Sequence, residues 1–242
     1  MPNKNIHKKG FVPEPPEGCD LSKERILLHC CCAPCSTAII EWMVESGLRP
    51  GIFFSNSNIV PFSEYFIRRD ELVRYAAAHG LETIDDEYDH AAWLTFVRQL
   101  EKTPVPEPVE ATDMAGDSSG IDWSLSLSKG PVISIADMPE RGPRCLECFK
   151  FRLLRATRYA AANGYTLLTT TLASSRWKDL NQVDAAGRWA CGQVNALNLG
   201  TNVTWWNQNW RRGGLQERRN ALIKEWDMYN QTFCGCEFSE RH

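Results

Sequence analysis

The sequence predicts an α/β protein with a parallel sheet and helices on both faces. Three observations carry the prediction. Short apolar runs, such as Leu27-Leu28 and Tyr165 to Leu172, are bounded by turn residues and read as buried strands. Stretches with apolar residues at helical spacing follow them. Glycines stand where those helices should stop, at Gly47, Gly80 and Gly164. Strand and helix therefore alternate, and such chains build parallel strands joined by crossover helices.

Taken in order, residues 1–22 are polar and carry Pro13, Pro15 and Pro16, the composition of a flexible tail. Arg25 to His29 is the first strand. Pro34 suits the first turn of a helix, because it lacks the N–H left unpaired there. Gly51 to Ser55 is a second strand, and Asn56-Ser57-Asn58 has turn chemistry. Glu64 to His79 places Tyr65, Leu72, Tyr75 and Ala76 on one helical face. Leu81 to Ile84 is a short strand, and Ala91 to Leu100 a helix.

Residues 102–143 carry six prolines and read as a long insertion loop, since loops beyond ~15 residues are usually functional or disordered. Cys145 opens a helix that runs to Asn163-Gly164. Tyr165 to Leu172 is the best strand, β-branched and apolar. A polar loop over Ser174 to Asp179 precedes a helix to about Ala190. Asn202 to Trp206 is the last strand and Glu217 to Tyr229 the last helix. Residues 23–242 are expected to form a single domain. Strand order is not readable. The polar loops after the strands should share the carboxyl edge of the sheet, where open α/β folds bind ligands.

Composition narrows the function. The chain has 242 residues, 43% hydrophobic and 24% charged, enough for one large core. No apolar signal core follows Met1, and no stretch approaches the ~20 apolar residues of a membrane helix. A cytoplasmic protein without membrane contact is expected. Net charge is −3, so the whole-chain balance does not advertise nucleic acid. Arginines 211, 212, 218 and 219 nevertheless cluster, and a basic face on an acidic protein is open.

Cysteine usage is the informative part. Eight of 10 cysteines fall in three groups: Cys30-Cys31-Cys32 with Cys35, Cys145-x-x-Cys148, and Cys234-Gly235-Cys236. In a cytosolic chain such clusters point to metal or redox chemistry. Four thiolates suit zinc or an iron–sulfur cluster. Adjacent cysteines fit one zinc knuckle poorly and can serve two metals. Cys35 lies in a helix's first turn, where the dipole favours thiolate. Cys30 alternates away from Cys31 and reads as core, as does Cys191 beyond a helix end. His29 is either a hydrogen-bonded strand histidine or a ligand. For Cys234 and Cys236, metal ligation, redox exchange and a structural clip all remain open.

Together the motifs resemble the QueH-type epoxyqueuosine reductases. The matching pieces are His29-x-Cys31-Cys32-Ala33-Pro34-Cys35, Phe54-x-Asn56-x-Asn58-Ile59-x-Pro61-x-x-Glu64-Tyr65-x-x-Arg68, Arg144-Cys145-x-x-Cys148-x-x-x-Arg152-Leu153, Thr170-Thr171-Leu172-x-x-Ser175-x-x-Lys178, and Lys224-Glu225-x-x-x-Tyr229-x-Gln231-x-x-Cys234-Gly235-Cys236. They run in order from about residue 25 to the end.

The resemblance implies a Rossmann-like fold with the metal site at the carboxyl ends of the strands. It implies reductive removal of the epoxide oxygen of epoxyqueuosine at the tRNA wobble position, with a [4Fe-4S] cluster and a nearby iron ion. Cys31, Cys32, Cys145 and Cys148 are then the expected cluster ligands, one of the adjacent pair being shared with or given to the iron. Cys35 is the expected iron ligand, and Cys234 and Cys236 complete that shell or act as a redox dithiol. Tyr65, Asp86, Tyr88 and Asp89 are the expected proton donors or oxygen ligands. Arg68, Arg152, Lys178, Arg212 and Arg218 would hold phosphates of the tRNA anticodon loop, and Asn56, Asn58, Glu64 and Ser175 would line the substrate site. An electron donor is implied and not named.

Three departures bear on substrate contacts. The insertion at 102–143 is long, Arg176-Trp177 stands where a proline commonly follows the serine, and Arg219 and Ala221 replace an expected serine and glutamate. Two rival readings stay open. An adenine-nucleotide-binding, tRNA-thiolating enzyme would need a glycine-rich phosphate loop after the first strand, where Cys-Cys-Ala-Pro-Cys stands instead. A zinc-stabilised RNA-binding module would hold one redox-silent metal.

Overall fold

A computed structural model describes residues 11–102, 133–198 and 200–239. Five parallel strands form one sheet: β1 (Ile26–Cys30), β2 (Gly51–Phe54), β3 (Thr83–Asp85), β4 (Leu167–Thr170) and β5 (Thr204–Trp205), in the order β3-β2-β1-β4-β5. Every residue of β1 is buried, as a central strand covered on both faces requires. Helices α1 (Ala33–Glu45), α2 (Phe62–Ala78) and α6 (Leu215–Glu225) pack through α1. Helices α3 (His90–Val97), α4 (Pro143–Ala162) and α5 (Leu180–Ala196) pack through α4. The chain order reverses between β1 and β4, which opens a crevice beyond their carboxyl ends. The expected α/β architecture is therefore present.

The elements differ from the sequence pattern at their ends. The long run from Tyr165 to Leu172 makes only a four-residue strand, and Thr171–Ser174 turn into a 3₁₀ helix. Thr170 causes the switch, since its hydroxyl accepts the Leu172 N–H at 3.1 Å. Helix α5 continues to Ala196, so Cys191 lies inside it and packs in the core. Strand β5 shortens to two residues at the sheet edge.

Residues 1–10 of the expected tail and 103–132 of the expected insertion lie outside the described residues. The flanking parts dock. Phe11 stacks on Trp210 at 5.6 Å and meets Trp42 edge-on at 5.0 Å, while the Trp206 indole donates to the Glu14 carbonyl at 2.9 Å. Residues 11–22 thus begin with an anchored stretch, because an aromatic pocket outweighs their proline-rich composition. Ile135 and Met138 join Trp93, Val97, Cys148 and Phe151 in a small second core. Among the described residues, no helix is long and apolar enough to cross a membrane.

Candidate metal centre

The first thiol group is built by strand pairing. Cys30 ends β1 and is core, its thiol donating weakly to the Leu28 carbonyl. His29 beside it pairs in register with Thr170; its ring nitrogens bond the Thr170 hydroxyl at 2.7 Å and the Ser55 carbonyl at 3.2 Å. Burial, then the Arg152 charge, pushes His29 down to about 3, so it is neutral. Just past the ends of the two strands Thr171 reaches Cys31: the Cys31 N–H donates to the Thr171 hydroxyl at 3.1 Å, and that hydroxyl donates to the Cys31 sulfur at 3.4 Å.

Cys32 is the N-cap residue of α1, with extended backbone and no side-chain capping bond. Its sulfur is left for the cavity and accepts from the Gln231 amide at 2.7 Å. Pro34 occupies the first turn of α1, as expected. The sulfurs of Cys31, Cys32 and Cys35 all lie within 4.8 Å of one another, and the Cys31–Cys32 pair is 3.8 Å apart. Donation from Cys32 and Cys35, aided by the Lys178 and Arg152 charges, holds Cys31 well below the ordinary thiol range. Cys35, donating to Cys31, is pushed up to about 11.

The second group comes from two segments. Cys145 and Cys148 lie one turn apart at the start of α4, whose first turn holds Pro143. Burial pushes Cys145 up to about 11 and also raises Cys148. Cys234 and Cys236 lie on a C-terminal loop clamped by Arg68, which donates to the Cys234 and Phe233 carbonyls at 2.8 and 3.2 Å. Gly235 takes φ +105°, and a Cβ there would stand 2.9 Å from the Arg68 guanidinium, so the tight approach demands glycine. The Gly235 carbonyl accepts the Val60 N–H at 2.8 Å. Burial opposes ionisation of Cys234, yet the charges of Lys178, Arg152 and Arg68 override it and lower the thiol. Lys178 itself sits 3.5 Å from that sulfur.

All seven of these cysteines line one cavity of about 430 Å³. Asn56, Asn58, Arg68, Arg152, Ser175 and Lys178 line it too. The Asn58 side chain is 1% exposed, and both of its amide atoms lack a partner among the described residues.

Other expected site residues serve the walls instead. Asp86 accepts from Ser55 at 2.6 Å and is paired with Arg155. The Tyr65 hydroxyl donates to Asp85 at 2.7 Å, and Tyr88 to the Ile59 carbonyl at 2.8 Å. Asp89 caps α3 by accepting the Ala92 N–H at 2.8 Å. Glu64 holds Arg68 at 2.7 Å and accepts from Tyr229 at 3.0 Å. Arg218 pairs with Glu41 at 2.6 Å and Glu225 at 2.7 Å, whereas the Arg212 side chain is 72% exposed. Neither lines the cavity wall with the thiols. Arg152, though it lines the cavity, is 2% exposed and donates to the Ser55 carbonyl and the Asn56 amide oxygen, which suits a structural cation better than a phosphate anchor.

Sequence reasoning left Thr171, Gln231, Arg141 and Arg219 without roles. The first two bond the sulfurs of Cys31 and Cys32, and the last two line the cavity. Thr171 and Gln231 stand in the matched motifs and Arg219 in the arginine cluster, whereas Arg141 had no local signal.

A parallel α/β sheet with seven thiols and buried cations at its carboxyl edge defines a class: α/β proteins whose donor set suits thiolate-bound metal. Comparison with known proteins narrows the class. The family model described as Epoxyqueuosine reductase QueH matches residues 26–107 and 128–242. Proteins named Epoxyqueuosine reductase QueH are similar: that of Histophilus somni is 34% identical over 217 residues, covering 90% of this chain and 72% of its own. The Haemophilus influenzae protein is 33% identical over the same coverage, and that of Thermotoga maritima 26% identical, covering 88% of this chain and 89% of its own. The chain belongs to the QueH epoxyqueuosine reductase family.

Proposed function

We propose that the chain removes the epoxide oxygen of epoxyqueuosine in tRNA, using a [4Fe-4S] cluster and a neighbouring iron held by its seven cavity thiols. Family membership makes it an oxidoreductase of queuosine tRNA modification. The observation that carries the finer reading is the convergence of thiols from β1–α1, α4 and the C-terminal loop on one cavity.

The residues present fit those groups. Two thiolates bound at ~2.3 Å to one tetrahedral metal stand about 3.8 Å apart. The close trio Cys31, Cys32 and Cys35 matches that scale and would supply three thiolates to one metal, the number of protein ligands a catalytic site uses. Cys145, Cys148, Cys234 and Cys236 number four, the count a [4Fe-4S] cluster takes. This grouping differs from the sequence expectation, which put Cys31 and Cys32 with Cys145 and Cys148. When bound, the two centres supply electrons and a Lewis-acid pull on the epoxide oxygen.

The protein's own groups do the rest. The reaction consumes two electrons and two protons and yields an alkene and water. Lys178 and Arg152 keep negative thiolate charge in the buried cavity. The Lys178 ammonium would also steady charge developing on the departing oxygen. Asn58 offers a buried donor and a buried acceptor, a match for hydroxyls of the modified base. Asn56 is fixed by its bond to the Cys30 carbonyl at 3.0 Å and shapes the same wall. The anticodon loop is the substrate, and an external donor supplies electrons.

The test is anaerobic reconstitution with iron and sulfide, then incubation with epoxyqueuosine-containing tRNA and a strong reductant. Queuosine should appear, and Cys35→Ser should reduce turnover by more than the ~10- to 100-fold that losing a ligand's outer-shell support costs. A protein that holds only zinc and leaves the epoxide intact contradicts the reading.

A further inference from the structure

The loop joining the 3₁₀ turn at Thr171–Ser174 to α5 carries Trp177. It is 57% exposed, the one exposed tryptophan among the described residues, and it lines the thiol cavity. The loop that presents it is held from behind. Arg141 donates to the Arg176 carbonyl at 3.3 Å and to the Trp177 carbonyl at 3.0 Å. Arg211 donates to the carbonyls of Ser175 and Lys178. All four carbonyls from Ser175 to Lys178 are therefore tied to a guanidinium, and Asp179 caps α5 directly after them. Such a loop gives up little freedom when a ligand lands on it.

The surroundings say what the ligand is. The Arg176 guanidinium lies 5.1 Å from the Trp177 ring, and Arg141 and Arg219 line the same cavity. Six arginines line it; Arg68, Arg144 and Arg152 are buried on protein carbonyls, which leaves Arg141, Arg176 and Arg219 as the accessible ones beside two acidic residues, Glu140 and Asp179, on a chain whose net charge is −3. A rigid exposed ring amid cations matches single-stranded nucleic acid, whose splayed bases stack on aromatics while its phosphates meet arginines. An apolar protein partner would not require this density of cations.

We propose that Trp177 is a stacking platform for the nucleobase adjacent to the modified nucleotide, holding the anticodon loop open so that the modified base enters the cavity. The proposal rests on the reductase reading above. It also accounts for two of the family departures, Arg176-Trp177 and Arg219, lying together on this cavity.

Binding of the reconstituted full-length protein to an unmodified anticodon stem-loop RNA tests it, together with the same RNA made abasic on either side of the wobble nucleotide. Trp177→Ala should weaken binding to intact RNA about 5- to 150-fold, the span of one lost base stack. Trp177→Phe should retain most of the affinity, and the salt dependence should not change, since no phosphate contact is lost. On one of the two abasic RNAs, wild type and Trp177→Ala should bind alike. Equal binding of wild type and Trp177→Ala to intact RNA overturns the proposal. So does an equal loss on intact and both abasic RNAs, or a loss confined to turnover with a protein electron donor. A wild-type protein that reduces epoxyqueuosine tRNA while showing any of these leaves the reductase reading standing; a wild type that neither binds nor reduces removes both.

Discussion

Arg152 shows how a residue's chemistry depends on where its donors go. Its guanidinium is enclosed and satisfies the Ser55 carbonyl and the Asn56 amide oxygen. Arg152→Leu leaves both acceptors buried without that partner and should cost about 2–4 kcal/mol in urea unfolding. Cys191 makes a pH prediction. Burial pushes its thiol up to about 11. The unfolded chain then releases this proton near the ordinary value while the folded chain keeps it, so stability is full below about pH 9 and falls as pH rises toward 11. The loss should be about 1.4 kcal/mol per pH unit across that window, and Cys191→Ala should lack it in parallel denaturation curves. At this scale the thiols were legible because each group is a local spacing. The hydroxyl on Cys31 was not, since it comes from Thr171, 140 residues away, where the ends of β1 and β4 lie side by side.

At the scale of elements, helix–sheet contacts decide what substitutions do. Gly187 lets α5 approach β5 closely: a Cβ there would overlap the Trp205 ring. Gly187→Ala should therefore destabilise by about 1–3 kcal/mol through overpacking, visible as a lower denaturation midpoint. Helix α6 meets α1 through Arg218 and Glu41. Arg218→Ala should lower stability but leave the salt dependence of RNA binding unchanged, whereas loss of a phosphate contact reduces that slope by about 1. Helices α1, α2 and α4 were readable because their periodicity is long and their ends carry proline or glycine. Strand lengths were not, because a side-chain cap at Thr170 and edge position at β5 override apolar pattern. Likewise, Tyr65, Asp86, Tyr88 and Asp89 carry catalytic residue types, and only the fold shows their partners to be wall carboxylates, carbonyls, Arg155 and a helix end.

Across the whole molecule, the order β3-β2-β1-β4-β5 places the cysteine loop at the switch point beside β4 and brings α4 and the C-terminal loop to it. No local pattern encodes that order. Thiol chemistry alone made a meeting of the three cysteine groups expected, and the strand order is what brings it about. The fold concentrates cations on the cavity while the chain as a whole is acidic, which reconciles an RNA substrate with a net charge of −3. The most direct measurement is an anomalous-scattering map at the iron edge from anaerobically reconstituted crystals. Iron should appear at two places in the one cavity, among Cys31, Cys32 and Cys35 and among Cys145, Cys148, Cys234 and Cys236. A cavity with no iron signal, or with zinc alone between its thiols, contradicts the two-centre reading.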